Sequence, residues 1–131
     1  MSASRRVTCI GWEDSVSEPT PKTRRLVALR DHQQCVVCGR YLEGIQASIH
    51  HRKMRSHASP TEKHMPANLI CVCGSGTTGC HGEIHSHPAW AYDMGYLVRM
   101  GGHPTEVPVK TFREGWIQLN NDGSYQEVTH E

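Results

Sequence analysis

Apolar and polar residues follow patterns that predict one helix and two strands in the first half of the chain. An apolar patch among good helix formers predicts a helix over residues 22–33. The preceding segment, residues 1–21, is rich in Ser, Thr, Glu and Pro, so we expect an irregular arm there. Residues 45–51 and 68–73 have strand-like runs, and the polar segment 52–67 between them, which contains two prolines, is expected to be a loop.

The second half begins with a glycine-rich turn over residues 74–79, which leads into a helix starting at Cys80. A further short helix is expected over residues 89–94, because Pro88 suits the start of a helix and Gly95 suits the residue that ends one. Two helices are therefore expected to follow the second strand.

Three more strands are expected after this point, over residues 96–100, 115–119 and 124–128. The pair Asp122-Gly123 lies between the last two runs, and this dipeptide is common in hairpin turns because both residues tolerate a left-handed backbone. The chain is therefore expected to have a mixed α+β fold that ends in a β-hairpin.

The composition of the chain predicts a metal or disulfide staple. Its 131 residues suit one domain, and with a single Phe a large apolar core is not expected. Six cysteines could supply the staple: Cys9, Cys35, Cys38, Cys71, Cys73 and Cys80. No apolar run follows the N-terminus and none is long enough to cross a bilayer, so we expect no secretory signal and no membrane partner. In the reducing cytoplasm expected for such a chain, close cysteine pairs more often bind metal than form disulfides.

Charge is unevenly distributed along the chain. The formal net charge is only +1, but residues 22–63 contain nine Lys or Arg and three acidic residues, so this segment carries +6 and the remainder −5. A solvated basic face explains this asymmetry, and so does a surface that binds phosphate groups. Arg52, Lys53 and Arg55 directly follow two histidines, which makes them candidate DNA contacts, and either arginine could steady a phosphate.

The spacing of the cysteines predicts a structural zinc site. Cys35 and Cys38 present two thiolates at a separation that suits one tetrahedral Zn²⁺. Cys71, Cys73 and Cys80 compete to supply the second pair. The glycine-rich turn is flexible enough to bring Cys73 and Cys80 together, so we favour these two and expect Cys71 to be buried as a small apolar residue. Cys71 in place of Cys73 remains an alternative, as do ordinary core cysteines.

The histidines are concentrated in one part of the chain, with seven of the ten between residues 50 and 87. His81 and His85 are four residues apart, so on a helix they share a face and can bind one cation. His50 and His51 end a predicted strand, where adjacent side chains point in different directions. One of these imidazoles can therefore bind the metal while the other faces a water molecule, an arrangement that metal-assisted phosphodiester cleavage needs.

Together these residues resemble the pattern of the HNH endonuclease family, and the glycine-rich turn is similar to that of HNH proteins from actinobacterial phages. The resemblance covers residues 24–95 and rests on the following residues: Cys35, Cys38, His50, His51, Asn68, Cys73, Cys80, His81 and His85. It implies that His51 is the general base and that Asn68 orders the finger and orients the base. It also implies that the other three histidines, His50, His81 and His85, bind the catalytic ion.

The resemblance further implies a fold and cofactors. The expected fold is a small ββα-metal finger within residues 22–95, with an N-terminal flanking helix and a four-cysteine structural zinc site. Residues 96–131 are expected to form a β extension packed on the same domain. The implied cofactors are one structural Zn²⁺ and one divalent ion at the catalytic site. The family implies Mg²⁺, Mn²⁺ or a similar ion there, and an all-imidazole site would also accept Zn²⁺ or Ni²⁺ tightly.

The implied activity is hydrolysis of DNA phosphodiester bonds. The likeness to phage proteins also implies a role in genome packaging beside the large terminase subunit, in the cytoplasm of the host cell. The alternative is a zinc-finger module that binds nucleic acid without cleaving it. Such a module would keep the four cysteines and the basic segment but would have no use for His51.

Overall fold

The computed structural model describes residues 18–129, and these form a mixed α+β fold. Residues 1–17 of the predicted arm lie outside the described residues. The helices and strands, in chain order, are α1 (Pro21–Arg30), β1 (Ala47–His51), α2 (Pro60–Lys63), β2 (Leu69–Cys73), α3 (Gly79–Ser86), α4 (Pro88–Met94), β3 (Val109–Thr111), β4 (Gly115–Leu119) and β5 (Tyr125–Glu127). Among the described residues, no helix has the length and apolar character needed to cross a membrane.

Helix α1 is capped by the side chain of Thr20, which accepts a hydrogen bond of 3.2 Å from a backbone amide in the first turn. Pro21, which we expected to lie in the arm, begins the helix, because the first helical position does not need an N–H donor. The helix ends at Arg30, earlier than predicted, since His32 and Gln33 have positive φ angles of 59° and 55°.

Strands β1 and β2 form an antiparallel pair in which Ala47 lies opposite Cys73 and His51 lies opposite Leu69. Both strands confirm the sequence prediction, although each starts slightly later than expected. All five residues of β2 are buried, because helices α1 and α3 both pack against this strand. Helix α3 follows β2 directly and packs against it. The strand pair therefore lies beside the helix that carries two of the candidate histidines.

The segment 52–67 is more ordered than the predicted loop, because it contains α2 and the beginning of a 3-10 turn at Pro66–Asn68. Ser59 caps α2 by accepting a hydrogen bond of 3.0 Å from the Glu62 amide, and Pro60 is its first residue. A helix of four residues is too short to create an apolar periodicity. The Ser59-Pro60 pair was therefore the feature of the sequence that indicated the start of this helix.

The C-terminal region forms a three-stranded antiparallel sheet in the order β3-β4-β5. Strands β4 and β5 confirm the predicted hairpin. Strand β3 was not predicted, because its three residues, with Lys110 exposed between two buried neighbours, are too few to show an alternating pattern. The predicted strand at 96–100 is wrong. Val98 makes only an isolated bridge to Lys53, and the segment is otherwise irregular although Tyr96 is buried.

One apolar core joins the two sheets. It includes residues from α1, β2, α3, β3 and β4, among them Val27, Leu69, Ile84, Val109 and Leu119. The C-terminal sheet therefore shares its core with the segment that carries the candidate cysteines and histidines.

Gly95 ends α4 with a left-handed φ of 82°, and an added Cβ would overlap the carbonyl oxygen of Pro108. We expect Gly95→Ala to lower the free energy of unfolding by more than the roughly 1–3 kcal/mol that such backbone strain costs alone, because the clash is with rigid backbone. Urea unfolding followed by circular dichroism measures this loss. Gly44→Ala is the matched control, since Gly44 has a φ of 83° and nothing within 4 Å of an added Cβ. Equal losses in the two variants would rule out the clash as a cause.

Candidate functional site

Four cysteines meet where β2 ends and α3 begins. Cys35 and Cys38 lie in the turn after α1, Cys73 is the last residue of β2, and Cys80 lies in the first turn of α3. Their sulfur atoms all lie within 4.8 Å of one another, and those of Cys38 and Cys73 are 3.9 Å apart. This cluster can hold a metal ion such as zinc, and its members are the four cysteines that we favoured from the sequence.

Cys71, the alternative to Cys73, is fully buried in the middle of β2. Two residues along a strand separate equivalent atoms by about 6.6 Å, so Cys71 cannot join an ion that Cys73 already contacts at close range. The structure gathers Cys73 with the other three cysteines and leaves Cys71 in the core.

Burial makes the thiolate forms of two of the four cysteines costly. Desolvation raises the pKa of the Cys35 thiol to about 11. Desolvation, followed by the nearby charge of Cys35, also raises the pKa of the Cys80 thiol. These two thiols therefore keep their protons at neutral pH unless a cation offsets the charge, so binding of a metal would release protons.

Three histidines converge between β1 and α3. The candidate ligand nitrogens of His50, His81 and His85 all lie within 4.8 Å of one another. The ring centroid of His50 is 5.1 Å from that of His81 and 5.7 Å from that of His85, and the two helical rings are 4.9 Å apart. His50 is buried and His85 is exposed, so the cluster opens to solvent on the helix side. The three predicted ligands are thus brought together.

Two of these rings are held in the neutral form. Desolvation, followed by the charge of His81, lowers the pKa of His50 to about 3. Desolvation, followed by the charge of His85, lowers the pKa of His81 to about 4. A neutral imidazole keeps the free lone pair that a metal ion needs, so both rings are ready to bind a cation at neutral pH.

His51 lies outside this cluster but lines the same cavity, which has a volume of about 620 Å³. Its Nε2 atom is 3.1 Å from Nδ1 of His64. Desolvation, followed by the charge of Arg55, lowers the pKa of His51 to about 4. The ring is therefore neutral at neutral pH and carries a free lone pair. We did not assign a role to His64 from the sequence, because its position in a polar segment gives no sign of this contact.

Asn68 is fully buried and connects the two segments that carry these histidines. Its side-chain oxygen accepts a hydrogen bond of 2.7 Å from the Lys53 amide, which follows His51 closely in the chain. Its side-chain nitrogen donates to the carbonyl oxygen of Lys63, directly before His64, at 3.0 Å. Asn68 therefore fixes the backbone on both sides of the His51–His64 contact.

Two of the predicted DNA contacts, Arg52 and Lys53, have side chains that are used inside the fold. Arg52 has no exposed surface, and it donates hydrogen bonds to four carbonyl oxygens, those of Ala67, Gly95, Pro104 and Val107. Lys53 is 5% exposed, and its ammonium group donates to Glu62 and to the Gly102 carbonyl, each at 2.9 Å. Neither cation is therefore presented at the surface of the structure.

Of the three predicted DNA contacts, Arg55 lies at the surface beside the histidines. Its side chain is 40% exposed, lines the cavity and lies 3.5 Å from the Glu18 carboxylate. The rest of the wall is largely apolar and includes Ile49, Met54, Pro88, Tyr92 and Leu97. The cavity therefore combines imidazoles, one cation and the Glu18 carboxylate with a largely apolar wall.

Comparison of this chain with protein-family models, with curated proteins and with solved structures found no match. The chemistry of the two clusters therefore has to be inferred from their own geometry. Thiols suit a closed structural site, whereas imidazoles beside an open cavity suit a site that exchanges water or substrate.

Proposed function

We propose that the protein is an HNH-type endonuclease that hydrolyses DNA phosphodiester bonds. The observation that carries the proposal is the arrangement of His50, His81 and His85 within 4.8 Å of one another, with His51 outside the set and lining the same cavity. The order β1, β2, α3 around this cluster supports a ββα-metal finger as its frame.

The chain's own residues divide the reaction between them. His50, His81 and His85 would hold one divalent ion, which when bound stabilises negative charge on the phosphate and the leaving oxygen. His51, as a neutral imidazole, takes a proton from the attacking water. The water oxygen bonds to phosphorus as the bond to the 3′ oxygen breaks. The departing 3′ oxygen takes a proton from a solvent water and His51 returns its proton to solvent, which leaves a 3′-hydroxyl and a 5′-phosphate. Arg55, which lines the cavity, would contact a phosphate of the DNA.

The four-cysteine cluster has a structural role in this proposal. A Zn²⁺ ion bound by Cys73 and Cys80 would connect the end of β2 to the first turn of α3. That connection fixes the helix that carries His81 and His85 relative to the strand that carries His50. The likeness to phage HNH proteins extends the proposal to genome packaging with a large terminase subunit as partner.

The proposal predicts that His51→Ala loses about 10²- to 10⁴-fold in cleavage rate, the usual contribution of a general base. Supercoiled plasmid is incubated with the zinc-loaded protein and Mg²⁺, Mn²⁺, Ni²⁺ or Zn²⁺, and the conversion to nicked and linear forms is followed on gels. His87→Ala is the matched control, because His87 is an exposed histidine outside the three-histidine cluster, with its Nδ1 3.1 Å from the Glu83 carboxylate. It should cleave at the parent rate.

Two results would overturn the proposal. One is the absence of cleavage with every metal, and the other is a His51→Ala variant that cleaves as fast as the parent. If the protein retards DNA on native gels but no metal supports cleavage, the non-catalytic zinc-finger module would be the better description. Zinc content and circular dichroism of each variant exclude misfolding as the cause.

A further inference from the structure

Ser48 lies on β1 two residues before His50, so the two side chains share a face of the strand. Its hydroxyl oxygen is 3.1 Å from Nδ1 of His81 and 2.5 Å from the carbonyl oxygen of Gly74. Gly74 directly follows the cysteine at the end of β2. Ser48 therefore links a histidine of one cluster to the turn that belongs to the other.

The direction of these hydrogen bonds follows from their chemistry. The Gly74 carbonyl can only accept, so the Ser48 hydroxyl donates its single proton there. The Ser48 oxygen then has lone pairs left and accepts from His81, so the proton on the neutral His81 ring lies on Nδ1. The free lone pair of His81 is consequently on Nε2.

His50 has the opposite arrangement. Its Nε2 atom is 2.8 Å from the carbonyl oxygen of Tyr96, which can only accept. The proton on the neutral His50 ring therefore lies on Nε2, and the free lone pair is on Nδ1. Two different hydrogen-bond acceptors thus select opposite tautomers in two rings whose centroids are 5.1 Å apart.

We propose that Ser48 is a positioning residue for the three-histidine site: it fixes the Nδ1-protonated tautomer of His81, so that a divalent ion is bound by Nε2 of His81 and Nδ1 of His50. This inference rests on the metal site of the proposed function and adds a residue that does not touch the ion. Outer hydrogen bonds of this kind set both the tautomer and the orientation of a metal-binding imidazole.

Metal affinity is the first test. The zinc-loaded protein is titrated with Ni²⁺ by calorimetry, and we expect Ser48→Ala to bind about 10- to 100-fold more weakly than the parent. Ser48→Thr keeps the hydroxyl on a strand and should recover most of the affinity. Ser86→Ala is the matched control, since it removes a serine hydroxyl that donates to the Gly82 carbonyl at 2.9 Å within the same helix as His81. It should bind like the parent.

The tautomers themselves are the second test, and they need no enzymatic activity. Long-range ¹H–¹⁵N spectra of the histidine rings at pH 7.5 should place the proton of His81 on Nδ1 and that of His50 on Nε2. In Ser48→Ala the His81 ring should shift towards a mixture of tautomers while His50 is unchanged. Unchanged zinc content and thermal midpoint exclude a general loss of structure.

The outcomes separate the two proposals. A Ser48→Ala variant that binds Ni²⁺ within twofold of the parent, or a His81 ring protonated on Nε2 in the parent, would overturn the role of Ser48 and leave the nuclease proposal intact. Failure of the parent to bind any divalent ion at the histidines would overturn both. Weak binding in Ser48→Ala together with normal binding in Ser48→Thr supports the inference.

Discussion

If the four-cysteine cluster holds a structural zinc ion, as proposed, replacing Cys38 with serine should remove that ion and with it the cooperative unfolding transition. A structural zinc ion contributes an apparent stabilisation of about 10–16 kcal/mol in small zinc domains. Small domains as a class have a net stability of only about 5–15 kcal/mol. The sulfur of Cys38 is 3.9 Å from that of Cys73 and belongs to the four-thiol cluster. Losing this ligand should therefore cost more free energy than the net stability of the fold. Zinc content by mass spectrometry and thermal unfolding by circular dichroism measure the effect.

The control for this prediction is Cys71→Ala. Cys71 is a buried cysteine outside the cluster, so the variant should keep its zinc and unfold cooperatively with a modest loss of stability. A chelator added to the parent protein should reproduce the Cys38→Ser result. If Cys71→Ala loses the metal while Cys38→Ser retains it, the ligand set is wrong. If the parent purifies without metal and still unfolds cooperatively, the fold does not depend on zinc.

The pairs Cys35/Cys38 and His81/His85 could be predicted from the sequence because their geometry is local, whereas the choice of His50 rather than His51 followed from the resemblance to the HNH family. Two cysteines separated by two residues lie on one turn, and two histidines four apart lie on one helical face whatever the rest of the fold does. The choice between Cys71 and Cys73 was harder. These two residues share a face of β2, so only their separation along the strand distinguishes them, and the loop to Cys80 reaches the nearer one.

Contacts between distant segments could not be predicted from the sequence. The Ser48–His81 hydrogen bond joins residues 33 positions apart, and the His51–His64 contact joins residues 13 apart. No periodicity encodes such pairs, because they depend on how β1 packs against α3 and on the path of the chain around α2. The wrong strand prediction at 96–100 has a related cause, since an apolar run indicates burial, here of Tyr96, Leu97 and Val98, and leaves the backbone conformation open.

The basic run after His51 shows most clearly that the sequence alone does not distinguish a buried cation from an exposed one. Arg52 and Lys53 are internal cations, whereas Arg55 is at the surface, yet all three are adjacent in one polar stretch. A buried guanidinium is stable only when carbonyl or carboxylate oxygens satisfy its donors. For Arg52 those oxygens come from residues 15 to 55 positions away along the chain.

Arg52→Met should therefore act on stability rather than on DNA binding. Four carbonyl oxygens lose their donor, and buried polar groups left without a partner cost about 1–3 kcal/mol each, so we expect a loss of at least about 3 kcal/mol in the free energy of unfolding. Arg52→Lys should also be destabilising, because an ammonium group has three donors and cannot reproduce the planar fork. Urea unfolding monitored by circular dichroism provides the measurement.

The contrasting variant is Arg55→Met, which should leave the free energy of unfolding nearly unchanged and weaken DNA binding. If Arg55 contacts one phosphate, its removal lowers the slope of log affinity against log salt by about 1. Arg52→Met, measured at a temperature where it is folded, should keep the parent slope, because its guanidinium has no exposed surface from which to displace a counterion. A reduced slope in Arg52→Met with normal stability would mean that this side chain leaves the interior to reach DNA, and the burial of Arg52 would then describe only the DNA-free protein.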